Sequence, residues 1–203
     1  MISLLAATAI QTSRVVEWLE PTAPFVTIQA VVKLPDLSTK HRNLLRMIAG
    51  CLGEETKTYS GTQIFDIASR TGSRLRAEVM DDHIRVGMDV VPADTMTGIS
   101  MVAAVLRESS IAEASLQRVS TDLTYRRLPF WRQAVDLRSF EPPKYDAREL
   151  NELIATVFRP ENVWLGVGGK VSPGAATEKW EELTLVWQMA RPPRLDKVPV
   201  EPV

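Results

Sequence analysis

Residues 74–91 read RLRAEVM-DD-HIRVGMDVV. In the second run Ile84, Val86, Met88 and Val90 occupy every other position. Successive side chains of a strand point to opposite faces, so this spacing gives one apolar face and one polar face. Residues 74–80 alternate as well, and Asp81-Asp82 between the two runs supplies the turn. The stretch therefore predicts a β-hairpin lying half-buried on a core, which sets the chain among proteins with antiparallel sheet.

Upstream of the hairpin, Ser60 is positioned to cap a short helix over 60–69 that turns Ile64, Ile67 and Ala68 inward, and Gly72 stops it. A longer helix over 38–52, with Ser38 as its N-cap, carries Leu44, Leu45, Ile48 and Leu52 on one face and ends at Gly53. Residues 25–34 hold Val26, Ile28, Val31 and Val32 and predict a central strand, broken by Pro35-Asp36. Residues 14–19 predict a further strand, turned by Pro21 and Pro24. Downstream, Asp94 is read as the cap of a helix to 107 with Met96, Ile99, Val102, Ala103 and Leu106 inward. A helix over 112–127 follows Ser109-Ser110. Residues 129–145 are irregular, with Pro142-Pro143 near their end. Asp146 caps a helix to 158, residues 162–167 form a buried strand, and Pro173 opens a last helix to about residue 182. A Pro-rich tail starts at Arg191.

Strands in adjacent pairs and helices in blocks predict an α+β fold, with a mostly antiparallel sheet covered on one face by helices. No repeat or linker divides residues 1–203, so one domain is expected. A chain of this length buries roughly two-thirds of its unfolded surface. With 45% hydrophobic and 24% charged residues it has the composition of a folded protein rather than a disordered one. A net charge of −1 gives no reason to expect nucleic acid or an anionic membrane as partner. The single cysteine, Cys51, excludes an internal disulfide or a thiolate zinc cluster, and its apolar neighbours predict a small buried residue. No stretch approaches the ~18 apolar residues of a membrane span. Met1 to Ile10 is apolar with small residues at Ala7 and Ala9, but no basic residue precedes Arg14. It is read as a first strand or ordered segment, a weak export signal being the alternative. The compartment stays open, with the cytoplasm favoured over the periplasm.

Three landmarks carry a resemblance to a known family. The strand ending Val31-Val32-Lys33-Leu34 leads into a helix that ends near Glu55-Thr56. The short helix then feeds the hairpin through Gly72-Ser73-Arg74-Leu75-Arg76-Ala77. Near the end stands Arg159-Pro160-Glu161-Asn162-Val163-Trp164-Leu165-Gly166-Val167-Gly168-Gly169, a strand before a final helix. In this order and spacing, over residues 15–182, the chain resembles one half of an M16 peptidase (pitrilysin, insulinase and mitochondrial processing peptidase are of this family). The resemblance implies the LuxS/MPP-like metallohydrolase fold. It also implies a zinc site in active halves, built from His-x-x-Glu-His on the first helix and a glutamate on a later one. Two histidines four apart grip the metal from one helical face, and the glutamate takes a proton from bound water.

This sequence departs from that pattern. Aligned on Thr56, the histidine positions fall at Arg46 and Gly50 and the glutamate at Ala49. Placing His41 first puts Leu44 and Leu45 at the others. The region of the later glutamate reads Thr124-Tyr125-Arg126-Arg127, with Asp122 the nearest acid. The two histidines, His41 and His83, fall on different elements. No metal, cofactor or catalytic residue is therefore expected. Gly166-Val-Gly-Gly lacks the spacing of a phosphate loop and reads as a strand-end turn. Arg118 and Tyr125 share a predicted helix face that is more simply a solvated one. The cluster of Arg126, Arg127, Arg132 and Arg138 with Phe130, Trp131 and Phe140 suits either a protein contact or a loop packed on the sheet. Trp164, Trp180 and Trp187 are read as core or docking residues. If any residues touch a partner or peptide, Arg118, Tyr125, Arg127 and Trp131 are those expected to.

The leading expectation is a catalytically inactive M16-like half that works by association. It would pair with itself or with an HxxEH-bearing M16 chain, shape a chamber, or hold an extended peptide at a sheet edge. The alternative is a divergent zinc metalloendopeptidase, or the non-catalytic chain of one.

Overall fold

Period-two burial runs through every strand whose side chains are described, and it fixes which way the sheet faces. The computed structural model describes residues 8–12, 14–34, 39–54, 56–127 and 145–189. The strands are β1 (Thr8–Thr12), β2 (Val15–Leu19), β3 (Val26–Lys33), β4 (Arg76–Val79), β5 (His83–Val90) and β6 (Val163–Gly169). They form one six-stranded sheet in the order β1-β2-β6-β3-β5-β4. On β3, Val26, Ile28, Ala30 and Val32 have no exposed surface, while Thr27 and Lys33 between and after them are exposed. On β5 the buried set is Ile84, Val86, Met88 and Val90, and on β6 it includes Val163, Leu165 and Val167. All of these lie on the same side, because β3 is paired in register with β5 (Ile28 opposite Met88) and with β6 (Ile28 opposite Val167).

The sheet is mostly antiparallel, as the hairpin predicts, with one parallel pair, β2 with β6. Residues 8–12 are a strand, and residues 1–7 of the apolar N-terminal stretch lie outside the described residues. The hairpin closes where Met80 N–H donates to His83 C=O at 2.8 Å across Asp81-Asp82.

The helices are α1 (Thr39–Cys51), α2 (Gly61–Ser69), α3 (Thr95–Glu108), α4 (Glu113–Arg127), α5 (Ala147–Val157) and α6 (Ala175–Met189). α3 lies directly on β3 and β5. Gly98 permits this approach, since a β-carbon there would stand 2.6 Å from Ile28 Cδ1. α2 is capped as predicted: Ser60 Oγ accepts from Gln63 N–H, and the Gln63 side chain accepts from Ser60 N–H at 2.9 Å. Asp146 likewise caps α5, accepting from Arg148 N–H at 2.8 Å. Asn151 ties α5 to the chain entering α4 by accepting from Ile111 N–H at 2.9 Å and donating to its carbonyl at 3.1 Å.

Three expectations are corrected. Asp94 does not cap α3 with its side chain; a 3-10 turn, Pro92–Asp94, precedes the helix, and the carboxylate accepts instead from Arg70 at 2.7 Å. α3 is not one-faced: residues 101–106 are all buried, because other helices cover the side turned away from the sheet. The last helix does not stop near Glu182 but continues to Met189. No breaker stands before Pro192, and Trp187, seven residues after the buried Trp180, is itself buried. Ser38, residues 128–144 and the tail from Arg191 lie outside the described residues.

One polar group holds the helix layer to the sheet. Glu17 has no exposed surface and occupies an inner-face position of β2. Its carboxylate accepts from Gly174 N–H at 2.7 Å, Thr177 N–H at 2.9 Å and Thr177 Oγ1 at 3.0 Å, which satisfies the start of α6. We expect Glu17→Ala to strand these donors and cost about 2–5 kcal/mol, lowering the melting temperature by about 5–15 °C, with Glu17→Gln milder. A melting temperature unchanged in Glu17→Ala by circular dichroism would show that the carboxylate does not hold the two layers together.

Candidate functional site

Because Leu44, Leu45 and Ile48 turn one face of α1 into the core, Ala49 and Gly50 come to the flank of the helix beside β4. α4 packs against the same flank. Between α1, α4 and the β4 edge lies a cavity of about 640 Å³, lined by Ala49, Gly50, Arg118, Val119 and Asp122 together with residues 74–78, among them Arg74, Arg76 and Glu78. Among the described residues β4 is the last strand of the sheet on this side. Hydrogen-bonded and non-bonded pairs alternate along an antiparallel ladder. Since Met80 bonds to His83, Glu78 and Arg76 are the residues that bond to β5. The N–H and C=O groups of Ala77 and Val79 are therefore directed away from β5, towards an edge that no described strand pairs with.

The floor of the cavity is closely packed. A β-carbon at Gly50 would stand 2.5 Å from Val119 Cγ1, so α1 and α4 meet through the missing side chain. At the end of α1, Gly53 has a φ of +84°, and Leu75 packs over it. Arg118 pairs with Glu54, tying α4 to the turn after α1. Cys51 is buried next to these residues, and burial pushes its thiol from 9.0 up to about 11, against a smaller pull downward from Arg118.

The positions that the resemblance matches to a zinc motif are thus distributed as follows. Ala49 and Gly50 line the cavity; Arg46 is exposed one turn earlier and donates to Asn43 Oδ1 at 3.3 Å. A guanidinium, a methyl group and a bare backbone offer a zinc ion no ligand. Among the described residues, no group of three His, Cys, Asp or Glu side chains is placed to hold a metal ion. These residues do not fit a zinc ion, and no chemistry is routed through one. His41 and His83 are on α1 and β5. His83 is bonded to Asp82 at 2.6 Å beside the hairpin turn. Arg118 faces the cavity; Tyr125 and Arg127 fall in the last turn of α4, where the backbone alone is described, and Trp131 lies outside the described residues. Of the tryptophans, Trp180 and Trp187 are core residues, and Trp164 is half-buried with the Arg14 guanidinium 5.3 Å from its ring centre. The β4 edge, Val119 and Leu75 were not singled out from sequence. The alternation of residues 74–80 signals the strand, but nothing in it says that the strand ends the sheet.

Two outcomes follow from this packing. Gly50→Ala should destabilise the protein by about 1–3 kcal/mol in urea unfolding, and adding Val119→Ala should recover much of that loss; a neutral Gly50→Ala would mean that the two helices do not meet there. The raised Cys51 pKa favours the neutral thiol in the folded state. Its contribution to stability is full below about pH 9 and is lost as pH rises through about 11. The urea midpoint should fall over that window more steeply in the native sequence than in Cys51→Ala, and parallel curves would refute the assignment.

No protein-family model matches the sequence, and no curated protein matches it. Its fold does match solved structures. A peptidase M16 inactive domain from Pseudomonas fluorescens superposes over 96% of this chain and 53% of its own, at 12% identity and a TM-score of 0.67. A protease from Helicobacter pylori superposes over 97% and 53%, at 13% identity and a TM-score of 0.66. The first half of the periplasmic protease PqqL from Escherichia coli superposes over 88% and 45%, at 10% identity and a TM-score of 0.68. The chain spans about half the length of these structures. It has the fold of an M16 peptidase half-domain.

Proposed function

We propose that the chain is a non-catalytic M16-like half that works by association. It pairs with a second half of the same fold, supplied by an HxxEH-bearing chain or by a second copy, and holds an extended peptide along the β4 edge. The observation that carries this reading is the chemistry of the cavity. The flank of α1 beside the edge strand offers Ala49 and Gly50, and Val119 packs where a side chain at residue 50 would stand. Such a surface can receive a side chain of a bound peptide, and the α1 flank itself, a methyl group and a bare backbone, carries no group to activate water. The likeness to about half the length of each neighbouring structure supports the pairing, because a half whose counterpart encloses a chamber with it has a surface to cover. An extended peptide would gain main-chain hydrogen bonds from Ala77 and Val79, with alternate side chains entering the cavity.

The second reading, a divergent zinc metalloendopeptidase or its accessory chain, draws on the two neighbours that are named as proteases. Light scattering and metal analysis of the purified protein separate the two. The proposal expects a dimer, or a stable complex with a co-expressed HxxEH chain encoded beside this one, and no stoichiometric zinc. A monomer that joins no such chain would overturn the association. Stoichiometric zinc together with chelator-sensitive peptide cleavage would overturn it in favour of the enzyme.

A further inference from the structure

The edge strand carries charge that the fold leaves unspent. From Arg74 to Met80 exposed and half-buried residues alternate, which puts Arg74, Arg76 and Glu78 on one side and Leu75, Ala77 and Val79 on the other. Glu78 is occupied: its Oε2 accepts from Arg85 at 2.7 Å. Glu54, the acid nearest Arg118, is occupied by that arginine. Arg74 and Arg76 are both exposed, and among the described residues neither guanidinium makes an ion pair or a side-chain hydrogen bond. Asp122, exposed on α4, lines the same cavity as Arg74 and Arg76 from its opposite wall, and neither arginine is hydrogen-bonded or ion-paired to it. At the other end of the edge the sign reverses, with Asp81 and Asp82 at the hairpin turn.

We infer that the peptide held on the β4 edge is acidic, with carboxylate side chains at alternate positions lying beside Arg74 and Arg76 and small apolar side chains between them entering the cavity over Gly50 and Val119. This rests on the proposed reading of β4 as a peptide-binding edge and adds the class of ligand. Side chains directly opposite one another on paired strands are close enough for opposite charges to attract and like charges to repel. An incoming strand keeps the same two-residue period as β4, so its carboxylates meet both arginines in one register. A lysine-bearing strand in that register would meet two unpaired cations.

The test uses the whole chain and two short fluorescein-labelled peptides, one of alternating glutamate and valine and one with lysine in place of glutamate. Anisotropy at low salt should show the glutamate peptide bound about tenfold more tightly. The preference should shrink as salt is raised and reverse in the Arg74→Glu, Arg76→Glu double variant. Ala77→Pro, which removes an N–H from the free edge while leaving the bonds to β5, should weaken both peptides. Equal affinities, or a preference that persists in the double variant, would overturn the acidic assignment while Ala77→Pro-sensitive binding kept the edge reading intact. Failure of both peptides to bind would sink both readings.

Discussion

The inner row of β3, Val26-Ile28-Ala30-Val32, must be kept out of water, and the rest of the molecule is arranged to do so. A strand at the centre of a sheet presents this row to one side alone, so the helices must lie on that side. α3 fills the middle, and its own burial on every side follows from having the sheet beneath it and other helices against it. Burial of each large aliphatic residue contributes roughly 1.5–3 kcal/mol, and the row with its partners on β5 and β6 accounts for much of the core. The close approach at Gly98 is part of the same arrangement, because a β-carbon there would lift the helix off Ile28 and Val90.

The same requirement explains why a carboxylate is tolerated at the inner face. Glu17 stands at an inner position of β2, where an apolar residue would be the ordinary choice. It is acceptable because three donors from the start of α6 converge on it, so the charge is hydrogen-bonded rather than bare. The cost of desolvating the acid is offset by fixing where the last helix begins. That helix in turn brings Trp180 and Trp187 down onto the core.

Much of this was legible in the sequence, and the limits have a physical pattern. The hairpin, the central strand, the Ser60 cap of α2 and the Asp146 cap are local: each depends on residues within a few positions of one another, so spacing alone reveals them. What depends on distant residues did not show. The insertion of β6 between β2 and β3, and the parallel pairing it creates, joins residues some 150 positions apart in the chain. Nothing near Glu17 announces donors at Gly174 and Thr177. The candidate site divides in the same way. The reading that sets Arg46, Ala49 and Gly50 against a zinc motif rests on one helix, but the role of Gly50 becomes visible only when Val119 of another helix is seen to lie against it. Asp94 shows the converse, since a residue of good capping type in the right place was drawn away by Arg70, which follows the end of α2.

On the proposed reading, the β4 edge would bring stability and recognition into the same few residues. A strand with unpaired N–H and C=O groups invites addition of another strand, and proteins blunt such edges by keeping them short and charged. β4 has four residues, and Arg76 and Glu78 stand on its exposed side. Charge blunts an edge selectively, however. Arginines resist a neutral or basic strand, whereas a strand bearing carboxylates in register turns the same repulsion into attraction. Because Glu78 is already taken by Arg85, the proposed selectivity would fall to Arg74 and Arg76. The cavity beside them constrains the alternate positions of the same strand, since Val119 and the bare backbone of Gly50 set how large a side chain can enter. Edge protection and ligand choice can thus follow from one arrangement, in which the sign of the charge decides which strand is admitted and the packing of two helices decides its size.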